Sequence, residues 1–127
     1  MGKLEDNKKI KREAILDAAF LLFTTKGLTK TSVADITAAA GVAKGTFYLY
    51  FKDKYDIKNK LIAHKTKELF DHAAIALEHS GITGLEDQLI FIIDDIINIL
   101  VNNKPLLNFI SKNLVMGALK SAFWAED

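Results

Sequence analysis

The chain reads as all-α: a three-helix unit with helix-turn-helix spacing, followed by part of a larger helical domain. Three observations predict this. Apolar residues recur at helical spacing along nearly the whole length, with no sustained alternation of period two. One Pro and seven Gly in 127 residues leave room for long unbroken helices, and Gly27, Gly41 and Gly81 fall where helices should stop. Gly41-Val42-Ala43 separates two short helical patterns, and two short helices joined by a three-residue turn containing Gly form a helix-turn-helix.

The first helix is expected over about Asn7 to Lys26. Ile15, Ala18, Ala19, Leu22 and Phe23 share one face, and Gly27 follows as a left-handed stop. A second helix starts near Ser32, which with Asp35 resembles a capping box, and ends at Gly41. A third runs from Lys44 to about Phe51. Asp53 and Asp56 repeat the capping pattern and open a long fourth helix to about Glu78, with Ile57, Leu61, Leu69, Phe70, Ala73 and Leu77 on its apolar side. Thr83 and Glu86 suggest a third capping box before a fifth helix that extends to about Asn102. Pro105 marks a break, and a sixth helix is expected over about Leu106 to Phe123. The Ile-rich fifth helix is apolar around almost its whole circumference, so it calls for cover on all sides.

Composition excludes several classes. Half the residues are apolar and 26% are charged, which rules out a disordered chain. There is no Cys, so disulfides, thiol catalysis and Cys-based zinc sites are excluded. The charged N-terminus lacks the apolar core of a secretory signal. The most apolar run, Leu89 to Val101, falls short of a membrane span and is broken by Asp94, Asp95 and Asn98. A cytoplasmic protein without a membrane partner is expected. The net charge of +1 conceals an asymmetry: residues 1–60 hold twelve Lys/Arg against seven Asp/Glu, and residues 61–127 hold five against nine. A basic module followed by an acidic one fits a nucleic-acid partner for the first half.

In a helix-turn-helix the second helix enters the major groove. Advancing 100° per residue from Lys44 puts Phe47 and Phe51 together on a core face and Gly45, Thr46, Leu49 and Tyr50 on the opposite one. Lys44 can reach a guanine edge or a phosphate, and Gly45 lets the backbone approach the groove. Thr46 suits a phosphate oxygen or a thymine methyl, and the Tyr50 phenol can donate to a phosphate. Periodicity sets Tyr48 beside the core face, where packing is expected. Lys54 opposes the dipole of the fourth helix, which makes sense where a phosphate docks. The third helix lacks Arg, Asn and Gln, the side chains that read bases bidentately.

The stretch Ser32 to Phe51, SVADITAAAGVAKGTFYLYF, with Lys54 beyond it, resembles the DNA-binding segment of the TetR family of bacterial transcriptional regulators. Ile15-Leu16, Ala18-Ala19, Leu22-Phe23 and Gly27 match that family's first helix, so the likeness covers about Lys9 to Leu69. The resemblance implies a helix-turn-helix DNA-binding domain over 9–69 and a helical regulatory domain over 70–127, read as incomplete. It implies a homodimer that represses from a palindromic operator and is released by an unknown small-molecule effector. Lys44, Gly45, Tyr48 and Leu49 would face bases, which overrides periodicity at Tyr48. Thr46, Tyr50 and Lys54 would hold phosphates, as would the start of the second helix at Thr31 and Ser32. Three positions depart from the family's habit: Ala43 replaces a capping Ser or Thr, Thr37 a small Ala, and Leu49 an aromatic residue or His.

His64, His72 and His79 are spaced too widely along one helix to share a metal, so they read as solvated or core histidines. Adjacent Asp94 and Asp95 diverge; a cationic ligand could use them, but a solvated face is the simpler reading. With no Gly-rich phosphate loop and no triad signature, neither an enzyme nor a cofactor is expected. The competing class is a helical protein-interaction module with a decayed helix-turn-helix.

Overall fold

In the computed structural model, which describes residues 2–113, five complete helices are followed by a helical stretch. They are α1 (Lys3–Thr25), α2 (Val33–Ala40), α3 (Lys44–Tyr50), α4 (Lys54–Glu78) and α5 (Leu85–Val101). Residues 104–113 are helical and are termed α6. The remainder of the expected sixth helix lies outside the described residues. The chain divides into two compact units between Leu61 and Ile62, inside α4.

The first unit closes around α1. Ile15, Leu16, Ala18, Ala19 and Phe23 are buried, as the face counted from the sequence requires. Ile36 from α2, Phe47 from α3, and Phe51, Ile57 and Leu61 join them, each at most 2% exposed. α1 begins four residues earlier than expected. Its first turns carry Lys and Asp side chains on exposed backbone, so apolar periodicity gives no sign of them. Its end is as expected: Gly27 takes φ 92°, and its N–H donates to the Leu22 carbonyl at 3.1 Å.

α4 starts on Asp53, whose Oδ1 accepts from the Asp56 N–H at 2.9 Å. Asp56 does not complete the expected box. Its carboxylate reaches one residue further back, to the Lys52 N–H at 2.9 Å, and that bond chiefly holds its pKa below the usual carboxylate value.

In the second unit Leu69 and Ala73 of α4 are buried, but Phe70 is 56% exposed and leaves the apolar side assigned to it. The start of α6 shows why Pro105 is tolerated. Asn103 caps the helix through a bond from the Leu106 N–H, so Pro105 sits in the first turn, where its missing N–H costs nothing. Leu106, Phe109 and Ile110 form the buried face of α6.

α5 corrects a further expectation. Thr83 does not cap it; Gly84 occupies the cap position with no side-chain bond, and Glu86 is one residue too early to answer. α5 has no buried residue, and Leu85, Leu89, Ile90, Ile93, Ile97 and Val101 are all more than half exposed. No helix among the described residues is long and apolar enough to cross a membrane.

The three histidines go separate ways. His72 Nδ1 pairs with Asp95 Oδ2 at 2.8 Å, joining α4 to α5. His79 Nδ1 donates to the Ile75 carbonyl at 2.9 Å, and His64 faces Glu68 at 3.8 Å. Asp94 points away from Asp95 and lines an open groove of about 530 Å³ with Asp87, Ile90, Phe91 and the 81–84 loop.

Candidate nucleic-acid interface

α2 is held open at its start and closed tightly at its end. Ser32 Oγ accepts from the Asp35 N–H at 3.0 Å, and Asp35 Oδ2 accepts from the Ser32 N–H at 2.9 Å, the reciprocal pair expected from the sequence. Gly41 adopts φ 71°, which an L side chain would resist. The Val42 N–H then reaches the Thr37 carbonyl at 3.1 Å, so the helix stops and the chain turns within three residues. Thr37 is buried, and its hydroxyl donates to the Ala34 carbonyl rather than crowding the next helix.

α3 follows from Ala43, which is extended (φ −72°, ψ 151°) and supplies no side-chain cap. Its inner face is aromatic. Phe47 is fully buried, its ring centroid 5.5 Å from that of Phe51. Phe51 is clasped by two cations, the Arg12 guanidinium at 5.6 Å and the Lys60 ammonium at 5.5 Å. Such contacts add to burial and fix how deeply α3 sits.

The outer face of α3 brings together most of the residues singled out from the sequence. Lys44 and Gly45 are exposed, Leu49 is 77% exposed, and Thr46 and Tyr50 are half-buried. A Cβ added at Gly45 would meet nothing within 4 Å, so the fold does not demand glycine there. Tyr48 is 52% exposed even though its ring packs edge-on to Phe47 at 5.2 Å. The packing that periodicity predicted and the outward position that the resemblance implied are both present in one side chain.

Two residues behave differently from expectation. Thr31 is 1% exposed, its hydroxyl donates to the Gly27 carbonyl at 2.7 Å, and its N–H donates to the Leu28 carbonyl. Buried and with both donors engaged, it is withdrawn from the set of phosphate ligands. Ser32 stays exposed, but its N–H is already committed to Asp35. Lys54 turns back into the unit. Its ammonium donates to the carbonyls of Leu28 at 2.9 Å, Thr31 at 3.1 Å and Thr29 at 3.4 Å.

The start of α2 also carries an ion pair across the turn. Asp35 is held at a pKa of about 2, chiefly by the Ser32 N–H and then by Lys26, whose ammonium lies 2.9 Å away. Lys26 follows the last residue of α1 and reaches forward to the first turn of α2. The pairing across nine residues had no local signal. Exposed Lys30 and Lys52 flank the two ends of the motif, and their place beside the turn and the end of α3 is the signal in the sequence that marks them.

The family model for bacterial regulatory proteins of the tetR family matches residues 15–60. The N-terminal unit is a TetR-family helix-turn-helix domain. This TetR-type domain is 47% identical over 62 residues to the HTH-type transcriptional regulator YvdT of Bacillus subtilis, a match that covers 49% of this chain and 30% of the relative. It is 44% identical over 50 residues to the regulator AcrR of Shigella flexneri, covering 39% and 23%. Among solved structures, a TetR-family regulator of Syntrophomonas wolfei superposes with a TM-score of 0.66 at 31% identity, over 80% of this chain and 51% of that one. A TetR-family regulator of Marinobacter aquaeolei gives a TM-score of 0.71 at 23% identity, over 84% and 55%, which bears on the fold alone. The chain thus spans about half of these structures and a third or less of these two relatives.

Proposed function

We propose that the chain binds duplex DNA through α3 and regulates transcription, without catalysing a reaction. The observation that carries this reading is the division of α3 into a buried aromatic face and an outward face of Lys44, Gly45, Thr46, Tyr48, Leu49 and Tyr50. A major groove about 12 Å wide accepts one helix, and these side chains project from one. Lys44, Gly45, Tyr48 and Leu49 are assigned to base edges and Thr46, Tyr50 and Ser32 to phosphates. With no Arg, Asn or Gln on α3, phosphate contacts and thymine methyls contribute more than bidentate base readout.

The finer reading is a homodimer on a palindromic operator, acting as a repressor that a small molecule releases. Family membership of the N-terminal unit supports it. Two recognition helices must then sit about 34–36 Å apart to read successive grooves. The groove beside α5 is the candidate for the effector.

The deciding test is binding to mixed-sequence duplex across a salt series, followed by selection of a preferred site from random duplexes. A binder with several phosphate contacts loses orders of magnitude between low and moderate salt. Binding that ignores salt, or no binding, returns the chain to the protein-interaction class.

A further inference from the structure

Lys54 stands where the sequence invites a phosphate ligand, and the geometry gives it other work. An ammonium has three N–H donors and no acceptor. Here three main-chain carbonyls surround it, those of Leu28, Thr29 and Thr31, at 2.9, 3.4 and 3.1 Å. The three acceptors lie 23 to 26 residues earlier in the chain and all belong to the turn between α1 and α2. That turn is closed by the Thr31 N–H on the Leu28 carbonyl, and Thr31 in turn anchors to Gly27 through its hydroxyl. The turn leads directly into Ser32, the cap of α2. Lys54 is the first residue of α4, and its side chain is only half-exposed. Carbonyl oxygens accept the ammonium's hydrogen bonds as phosphate oxygens would, without the charge, and they are built into the fold.

We propose that Lys54 is a positioning residue that ties the start of α4 to the α1–α2 turn and so sets the approach of α2 to DNA, rather than a ligand of the DNA backbone. The assignment rests on the DNA-binding reading above for its consequence, but its geometry stands without DNA. The same joint means that any displacement of the first turn of α4 pulls on the turn that carries Ser32. Lys60, six residues on, donates to the Tyr50 carbonyl at 3.4 Å, so the opening turns of α4 reach both the turn ahead of α2 and the end of α3.

The test uses the full chain, a mixed-sequence duplex, and the variants Lys54→Met and Lys54→Arg. Each phosphate contact contributes about 0.9 to the slope of log affinity against log salt. For Lys54→Met the expected result is an unchanged slope, affinity lowered several-fold by the same factor at every salt concentration, and faster amide exchange at Thr31. Lys54→Arg, which keeps charge and donors, should recover most of both. A slope reduced by about one, or unchanged exchange at Thr31, overturns the proposal. If Lys54→Met does not fold, the wild-type ammonium signal decides. A caged Lys54 ammonium exchanges slowly and keeps its chemical shift when duplex is added, whereas a phosphate ligand shifts. Should the wild type bind no duplex, the DNA-binding reading fails, and hydrogen exchange at Thr31 alone decides whether the tie exists.

Discussion

Ser32 and Asp35 cap α2 reciprocally: each side chain accepts the other's main-chain N–H, at 3.0 and 2.9 Å. The pair satisfies two donors that the start of a helix leaves orphaned. Ser32→Ala should cost about 1 kcal/mol of stability. Chemical denaturation of the full chain measures it, and a loss indistinguishable from zero would mean the cap is idle.

The same carboxylate makes a pH prediction. Asp35 titrates at about 2 when folded, against an ordinary value of 3.8. A group with a depressed folded pKa adds stability above its unfolded pKa and loses it as pH falls through the folded one. Stability should therefore decline between about pH 4 and pH 2, and Asp35→Asn should flatten part of that decline. Thermal unfolding at stepped pH checks this; identical profiles for variant and wild type would refute it.

Ala43 is extended and gives α3 no side-chain cap. Ala43→Ser should stabilise the chain by about 1 kcal/mol, the usual worth of a cap. If the added hydroxyl also meets a phosphate, duplex affinity rises with it. Denaturation midpoints and a binding titration separate the two effects.

Gly45 has open space where a Cβ would go and no positive φ. Gly45→Ala should leave the free protein unchanged or up to about 1 kcal/mol more stable, since glycine disfavours helix. Duplex binding should weaken at the same time, because the methyl would stand where α3 approaches the groove. Gain of stability with undiminished binding would show that α3 does not approach closely at this residue.

Tyr50 is half-buried and its phenol is assigned to a phosphate. Tyr50→Phe should weaken binding to all duplex sequences by a similar factor. A changed base preference at a single position would reassign Tyr50 to base readout.

Much of this was legible before the structure. Gly27 and Gly41 mark helix stops in the sequence, and they take φ of 92° and 71°, which glycine adopts at little cost. Phe47 and Phe51 were assigned to the core from their spacing, and both are buried. What escaped falls into two kinds. Local patterns misled where a neighbour changed the register: Gly84, not Thr83, became the cap of α5, and the polar first turns of α1 carried no periodicity to count. Contacts distant in sequence leave no local pattern; they reassign Lys54 and Thr31 and pair Lys26 with Asp35. A threonine or lysine in a polar stretch reads as outward-facing until the carbonyls it folds back upon are known.

One consequence follows from the placement of the tyrosines. All three, Tyr48, Tyr50 and Tyr55, fall within eight consecutive residues on α3 and the first turn of α4. Tyr48 and Tyr55 are more than half exposed. The protein's phenol rings are therefore confined to its candidate reading edge. Phenol-ring signals in tyrosine-labelled protein can follow DNA docking without an attached dye.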